Sequence, residues 1–133
     1  MNHDKYIFTF DYDSLHKDYE KVIKDCDETY EFLIGIKERK ERLNGIVQQH
    51  KIAGTKNQLP KVVFDERKKI NQFCKKDLKV IAHQMEKQLE LLIRGEQEHM
   101  KQEMSDFERE ELTHKYAGVK RRIMANISLI NDI

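Results

Sequence analysis

One stripe of side chains constrains this chain more than any other feature. Positions 15, 19, 22, 26, 29, 33, 36, 40, 43, 47 and 50 succeed one another by alternating steps of four and three without a slip, and they read Leu15, Tyr19, Val22, Cys26, Thr29, Leu33, Ile36, Lys40, Leu43, Val47 and His50. Eight of the eleven are apolar, a period that belongs to an α-helix with one buried face and not to a strand. The stripe predicts a helix over about residues 14–52, with Asp13 or Ser14 able to cap its start and Gly54 its end. At ~1.5 Å per residue that helix is roughly 55 Å long, more than a compact globule can cover. Gly35 and Gly45 each cost about 1 kcal/mol relative to Ala inside a helix, and Asn44-Gly45 is a turn dipeptide, so Asn44 is the expected place for a kink or an early end.

Two further segments follow. Gly54 to Pro60 is the only loop-like stretch inside the body of the chain, and Gly95 is a weaker break. Between them Ile70, Cys74, Leu78, Ile81, Met85, Leu89 and Leu92 step by four, four and three, an eleven-residue period that favours straight packing, and Phe73 widens the stripe. After Gly95 come Met100, Met104, Phe107, Leu112, Tyr116, Val119, Ile123, Ile127 and Ile130, with one irregular step of five after Phe107 where a local adjustment is expected. The expected fold is all-α: an antiparallel up-down-up bundle of three long helices spanning about 14–52, 61–94 and 96–131 within a domain of residues 14–133.

Composition agrees and narrows the function. Only 38% of residues are apolar and 37% are charged, proportions that suit long amphipathic helices and not a thick sheet-centred core. The 25 Lys and Arg nearly cancel the 24 Asp and Glu, so the whole-chain charge of +1 supplies no field for steering nucleic acid. Arg67-Lys68-Lys69, Lys75-Lys76 and Lys120-Arg121-Arg122 lack interleaved aromatics and read as solvated faces, the alternative being contact with anionic lipid or nucleic acid. No apolar run exceeds three residues, far from the ~20 of a spanning helix, so membrane insertion is not expected. Cys26 and Cys74 sit singly on apolar faces, which points to buried thiols in a reducing, cytoplasmic setting. Residues 1–13 form a leader whose Tyr6, Phe8, Phe10 and Tyr12 read as extended; it either packs across the bundle or docks on a partner.

Catalytic chemistry finds no residue set to rest on. Glu96 to His99 and Glu111 to His114 have the Glu-x-x-His step that di-iron bundles use, but in the expected third helix both lie on one element about 22 Å apart at the standard rise. His50 and His83 have no nucleophile and orienting group arranged beside them, and there is no phosphate loop or zinc spacing. Neither enzyme activity nor a cofactor or metal is expected.

The helices resemble those of one family. Asp77-Leu78-Lys79 followed by Ala82, Met85, Leu89 and Leu92 looks like the middle helix of the Habc domain of syntaxins, the Qa-SNARE proteins. Leu112-Thr113-His114-Lys115-Tyr116 with Val119 is similar to that family's Leu-Ser-x-Lys-Phe run, and Leu43, Ile46 and His50 resemble its approach to the first loop. The chain departs from the family where Ile123 and Ile127 replace a Tyr and a Gln, and where Asp4-Lys5-Tyr6 with Thr9 does not match the leader that recruits SM-family proteins. No SNARE motif or tail anchor follows Ile133, so the resemblance implies an excised regulatory domain or an unanchored relative.

The resemblance implies a regulator of SNARE assembly in vesicle membrane fusion, on the cytosolic face of membranes, whose second and third helices hold a SNARE helix as a temporary fourth member. Such a groove needs apolar surface left over after the three helices pack. Phe73, Met104, Phe107 and Met124 are the candidates for that surplus, the alternative being that they complete the internal core. A rival reading is a structural coiled-coil subunit of a larger assembly, such as a tethering, ciliary-transport or secretion-apparatus scaffold. It would turn the first stripe, with its polar Thr29, Lys40 and His50, toward another chain. The expected partners are protein helices in either case, and a closed bundle is expected to be monomeric.

Overall fold

A computed structural model describes residues 17–133. It comprises α1 (Tyr19–Ala53), a 3-10 turn (Lys56–Gln58), α2 (Lys61–Gln72), a π-helical turn (Phe73–Asp77), α3 (Leu78–His99) and α4 (Asp106–Asp132). The described residues are all-α. The predicted caps Asp13 and Ser14, stripe residue Leu15 and leader residues Tyr6, Phe8 and Phe10 lie outside the described residues.

The first stripe is the buried face of α1. Val22, Cys26, Thr29, Leu33, Leu43 and Val47 are buried, and Tyr19, Ile36, Lys40 and His50 are half-buried. The helix passes through Asn44-Gly45 without a break, and Asn44 Oδ1 accepts a 2.8 Å bond from Arg67 Nε that ties it to the next helix. It ends where Gly54 takes φ 73°, with the Gly54 and Thr55 amides donating to the Lys51 and His50 carbonyls. That is a Schellman cap, which glycine adopts without a β-carbon penalty. His50 belongs to it: its Nδ1 shares a 2.8 Å hydrogen bond with Thr55 Oγ1.

The second rod runs unbroken through α2, the π turn and α3, since Gln72, Phe73, Asp77 and Leu78 all keep right-handed helical angles. Phe73 and Leu78 are five residues apart and both buried. Five residues place two side chains about 140° apart on an ideal α-helix, so a regular helix would hide one and expose the other. The wider turn, closed by the Leu78 amide donating to the Phe73 carbonyl, brings both to the core.

The break after the second rod corrects the predicted boundary. The helix continues through a buried Gly95 to His99, and the last helix begins at Asp106, not near residue 96. Ser105 caps α4 by accepting the Glu108 amide at 3.1 Å. Ser105-x-x-Glu108 is thus a capping-box pattern standing just ahead of the periodic run. Arg109 closes the connection from the other side, its Nη1 donating to the Met100 carbonyl at 2.6 Å. The irregular step after Phe107 therefore falls in the first turn of α4, where Phe107 is exposed.

Cross-helix pairs give the directions. Phe32 meets Phe73 edge-on at 6.2 Å, Arg39 pairs with Glu66 and Asn44 with Arg67, so α1 and the second rod run antiparallel. Glu96 with Lys120 and His99 with Tyr116 make α3 and α4 antiparallel too. Cys26 with Asn126, Lys37 with Asp132 and Lys40 with Ile133 make α4 parallel to α1. The core they enclose is built on Cys26, Leu33, Leu78, Ile81, Met85, Tyr116, Val119 and Ile123. Alongside α1, α4 reaches the level of Lys40; from there α1 continues thirteen residues to Ala53, about 20 Å, packed among the described residues on α2 and the 3-10 turn. The described residues thus form a three-helix bundle at one end and a two-helix arm at the other.

Candidate functional site

The four groove candidates are not brought together. Phe73 is 7% exposed and part of the core, and its packing against Phe32 makes it a structural aromatic. Met104 is partly buried against the core in the α3–α4 connection. Phe107 (73% exposed) and Met124 (56%) do face outward, but they stand seventeen residues apart on α4, some 25 Å along its axis.

A different seam has the property the candidates were chosen for. Lys120 Nζ and Glu96 Oε2 lie 2.6 Å apart and set the register between α4 and α3. One turn on in opposite chain directions, Met124 comes level with Ile93; one turn further, Ile127 comes level with Leu89. Met124 and Ile93 are exposed, whereas Ile127 and Leu89 are partly buried against the core. The two rows form a half-covered apolar strip with the Lys120–Glu96 ion pair at one end. Ile93 was missed in the sequence because it falls one residue after Leu92, off the main stripe.

Most of the remaining chemical candidates are engaged in structure, while His83 and His114 are exposed. Because α4 begins at Asp106, the two Glu-x-x-His steps lie on different helices and not, as expected, on one. Three of their four side chains are nevertheless used elsewhere: Glu96 by Lys120, His99 by a 3.1 Å bond to the hydroxyl of buried Tyr116, and Glu111 by Lys115. Among the described residues no group of three or more His, Cys, Asp and Glu is placed to hold a metal ion. Burial, reinforced by the Asp27 carboxylate, pushes the Cys26 thiol up to about 12, which leaves it a neutral packing group. Burial also raises Cys74, against the pull of Lys40.

The polar stripe positions are used internally. Thr29 donates to the Asp25 carbonyl, Lys40 to the Ile133 carbonyl, and His50 joins the helix cap. Asn126 is wholly buried and donates to the Cys26 carbonyl at 3.3 Å, while its own Oδ1 is buried without a partner.

Among the described residues no helix is long and apolar enough to cross a membrane. No family model matches the chain, and no curated protein or solved structure matches it either.

Proposed function

We propose that this chain is a non-catalytic helical interaction domain that holds a helix of another protein segment against α3 and α4, in the manner of a syntaxin Habc domain regulating SNARE assembly. The observation that carries the reading is the Met124, Ile93, Ile127 and Leu89 strip, apolar surface left over along the seam between the second and third long helices. Methionine at such a strip adapts to the shape of an incoming helix. The scaffold reading asked α1 to offer its stripe to another chain. That stripe is instead buried against the chain's own helices, and Thr29, Lys40 and His50 all have partners within the chain. A syntaxin-like role would place the protein on the cytosolic face of membranes.

The reading is tested by titrating the 133-residue protein with a labelled SNARE-motif peptide. Binding should be lost on Ile93→Asp with Met124→Asp, two exposed positions whose replacement leaves the core intact. Binding that survives the double substitution removes the seam as the site.

A further inference from the structure

The charges of this chain are divided along its length. Residues 39–76 hold eleven Lys and Arg and three Asp and Glu; the rest of the chain holds fourteen and twenty-one. The basic segment coincides with the two-helix arm that α4 does not reach.

The arm carries a trough on the side that α4 occupies in the bundle. Lys37, Lys40 and Asn44 fall on one row of α1 at steps of three and four. The first two hold the end of α4, through Asp132 Oδ2 and the Ile133 carbonyl at 2.6 Å each. Asn44 holds Arg67. Past α4, the same side is continued on α2 by Phe64, Arg67, Lys68, Asn71 and Lys75, which with neighbouring Asp65 and Gln72 line an open cleft of about 460 Å³. Asn71 Oδ1 is buried there without a hydrogen-bond partner, an unfavourable state that an incoming donor would relieve.

We infer that this trough is a second docking surface, separate from the α3–α4 seam, and that its occupant is an acidic amphipathic helix from outside these 133 residues. Such a helix would extend the line of α4, seat an apolar side chain against Phe64 and set its carboxylates beside Lys68 and Lys75. A Ser, Thr, Asn or Gln on it can donate to Asn71 Oδ1. The helical form follows from the trough itself, because its near end already carries a helix along the same row of α1. The sign follows from the cleft lining, where Arg67, Lys68 and Lys75 face only Asp65, within a segment whose eight-charge excess repels a basic competitor and speeds the approach of an acidic one. A nucleic-acid strand, whose bases can stack on an aromatic ring, or an anionic lipid surface would also satisfy the lysines, so those ligands are the alternatives the test must separate.

The probe is a synthetic 18-residue helix of Leu at steps of three and four with Glu elsewhere, titrated by fluorescence anisotropy into the 133-residue protein. A matched peptide with Lys for Glu serves as control. The acidic peptide should bind and the basic one should not. Lys68→Glu with Lys75→Glu, both exposed, should weaken binding at least about tenfold and more so at low salt. Phe64→Ala should weaken it by about as much, while Ile93→Asp with Met124→Asp leaves it unchanged, so that this surface and the seam stand or fall separately. Where Phe64→Ala lowers the melting temperature, the lysine pair decides. The inference is overturned if the lysine pair has no effect, or if Phe64→Ala is silent in a stably folded protein. It is also overturned if an oligonucleotide or phosphatidylserine vesicles bind more tightly than the acidic peptide and lose binding on the lysine substitutions. Self-association in sedimentation that the lysine substitutions abolish makes a second copy the occupant, and overturns it too.

Discussion

The hydroxyl of Tyr19 rests on Gly118, 2.6 Å from where a β-carbon on that glycine would stand. Tyr19 opens α1 and Gly118 lies in mid-α4, so this contact seats the start of one helix on the other, with Lys115 Nζ 5.7 Å over the tyrosine ring. Two effects oppose each other at Gly118. Alanine gains about 1 kcal/mol of helix preference, but its methyl requires the Tyr19 hydroxyl to move. Gly118→Ala should therefore be near neutral or destabilising in the native chain and stabilising by up to about 1 kcal/mol in a Tyr19→Phe background. Urea melts of the four proteins measure that coupling; additive effects would mean that Tyr19 is displaced without cost.

Phe73 and Phe107 should separate sharply. Phe73→Ala removes a buried ring that spans the π turn and should cost about 3–5 kcal/mol, whereas Phe107→Ala at an exposed position should stay within about 0.5 kcal/mol. Chemical denaturation of both variants checks the assignment of Phe73 to the core. Equal small losses would return Phe73 to the surface.

Asn126 predicts a gain on removal. Its buried amide makes one long bond to the Cys26 carbonyl and leaves Oδ1 unsatisfied. An apolar residue of similar volume should fit better, so Asn126→Leu is expected to stabilise the fold by about 1–2 kcal/mol. Thermal unfolding measures it, and a lower melting temperature would show that the amide holds α1 and α4 in place more strongly than its geometry suggests.

Cys26 makes stability depend on alkaline pH. Its thiol rises from 9.0 to about 12 in the folded chain, so between those values the unfolded state releases a proton that the folded state keeps. The contribution is fully present below pH 9 and falls by up to about 1.4 kcal/mol per pH unit as pH rises toward 12. Comparing the native chain with Cys26→Ala removes the background from lysines and tyrosines. Parallel stability curves above pH 9 would place the thiol in contact with water.

Much of the architecture was legible because buried residues repeat at helical steps. From Val22 to Val47 the first stripe could be read position by position, and Gly54 marked its end. What escaped had a local cause. Phe73 and Leu78, five residues apart, are out of phase for an α-helix, so the sequence left Phe73 open between surplus and core until the π turn placed it inside. Gly95 drew the boundary too early because a glycine buried in a helix reads like a break, while the Ser105 and Glu108 cap ten residues on was the stronger signal. The basic arm was hidden by averaging, since a whole-chain balance of +1 cancels the excess in residues 39–76 against the acids elsewhere. The seam was out of reach for another reason: pairing Met124 with Ile93 needs the register between two helices, which the Lys120–Glu96 contact sets.

The central claim is that the α3–α4 seam receives a helix, and methyl NMR of the 133-residue protein tests it most directly. On titration with a SNARE-motif peptide, the Ile93, Met124 and Ile127 methyl signals should shift together and saturably, while Leu33, Leu43 and Val47 stay in place. Shifts confined to other methyls, or none at peptide concentrations up to the millimolar range with the fold intact, would contradict it.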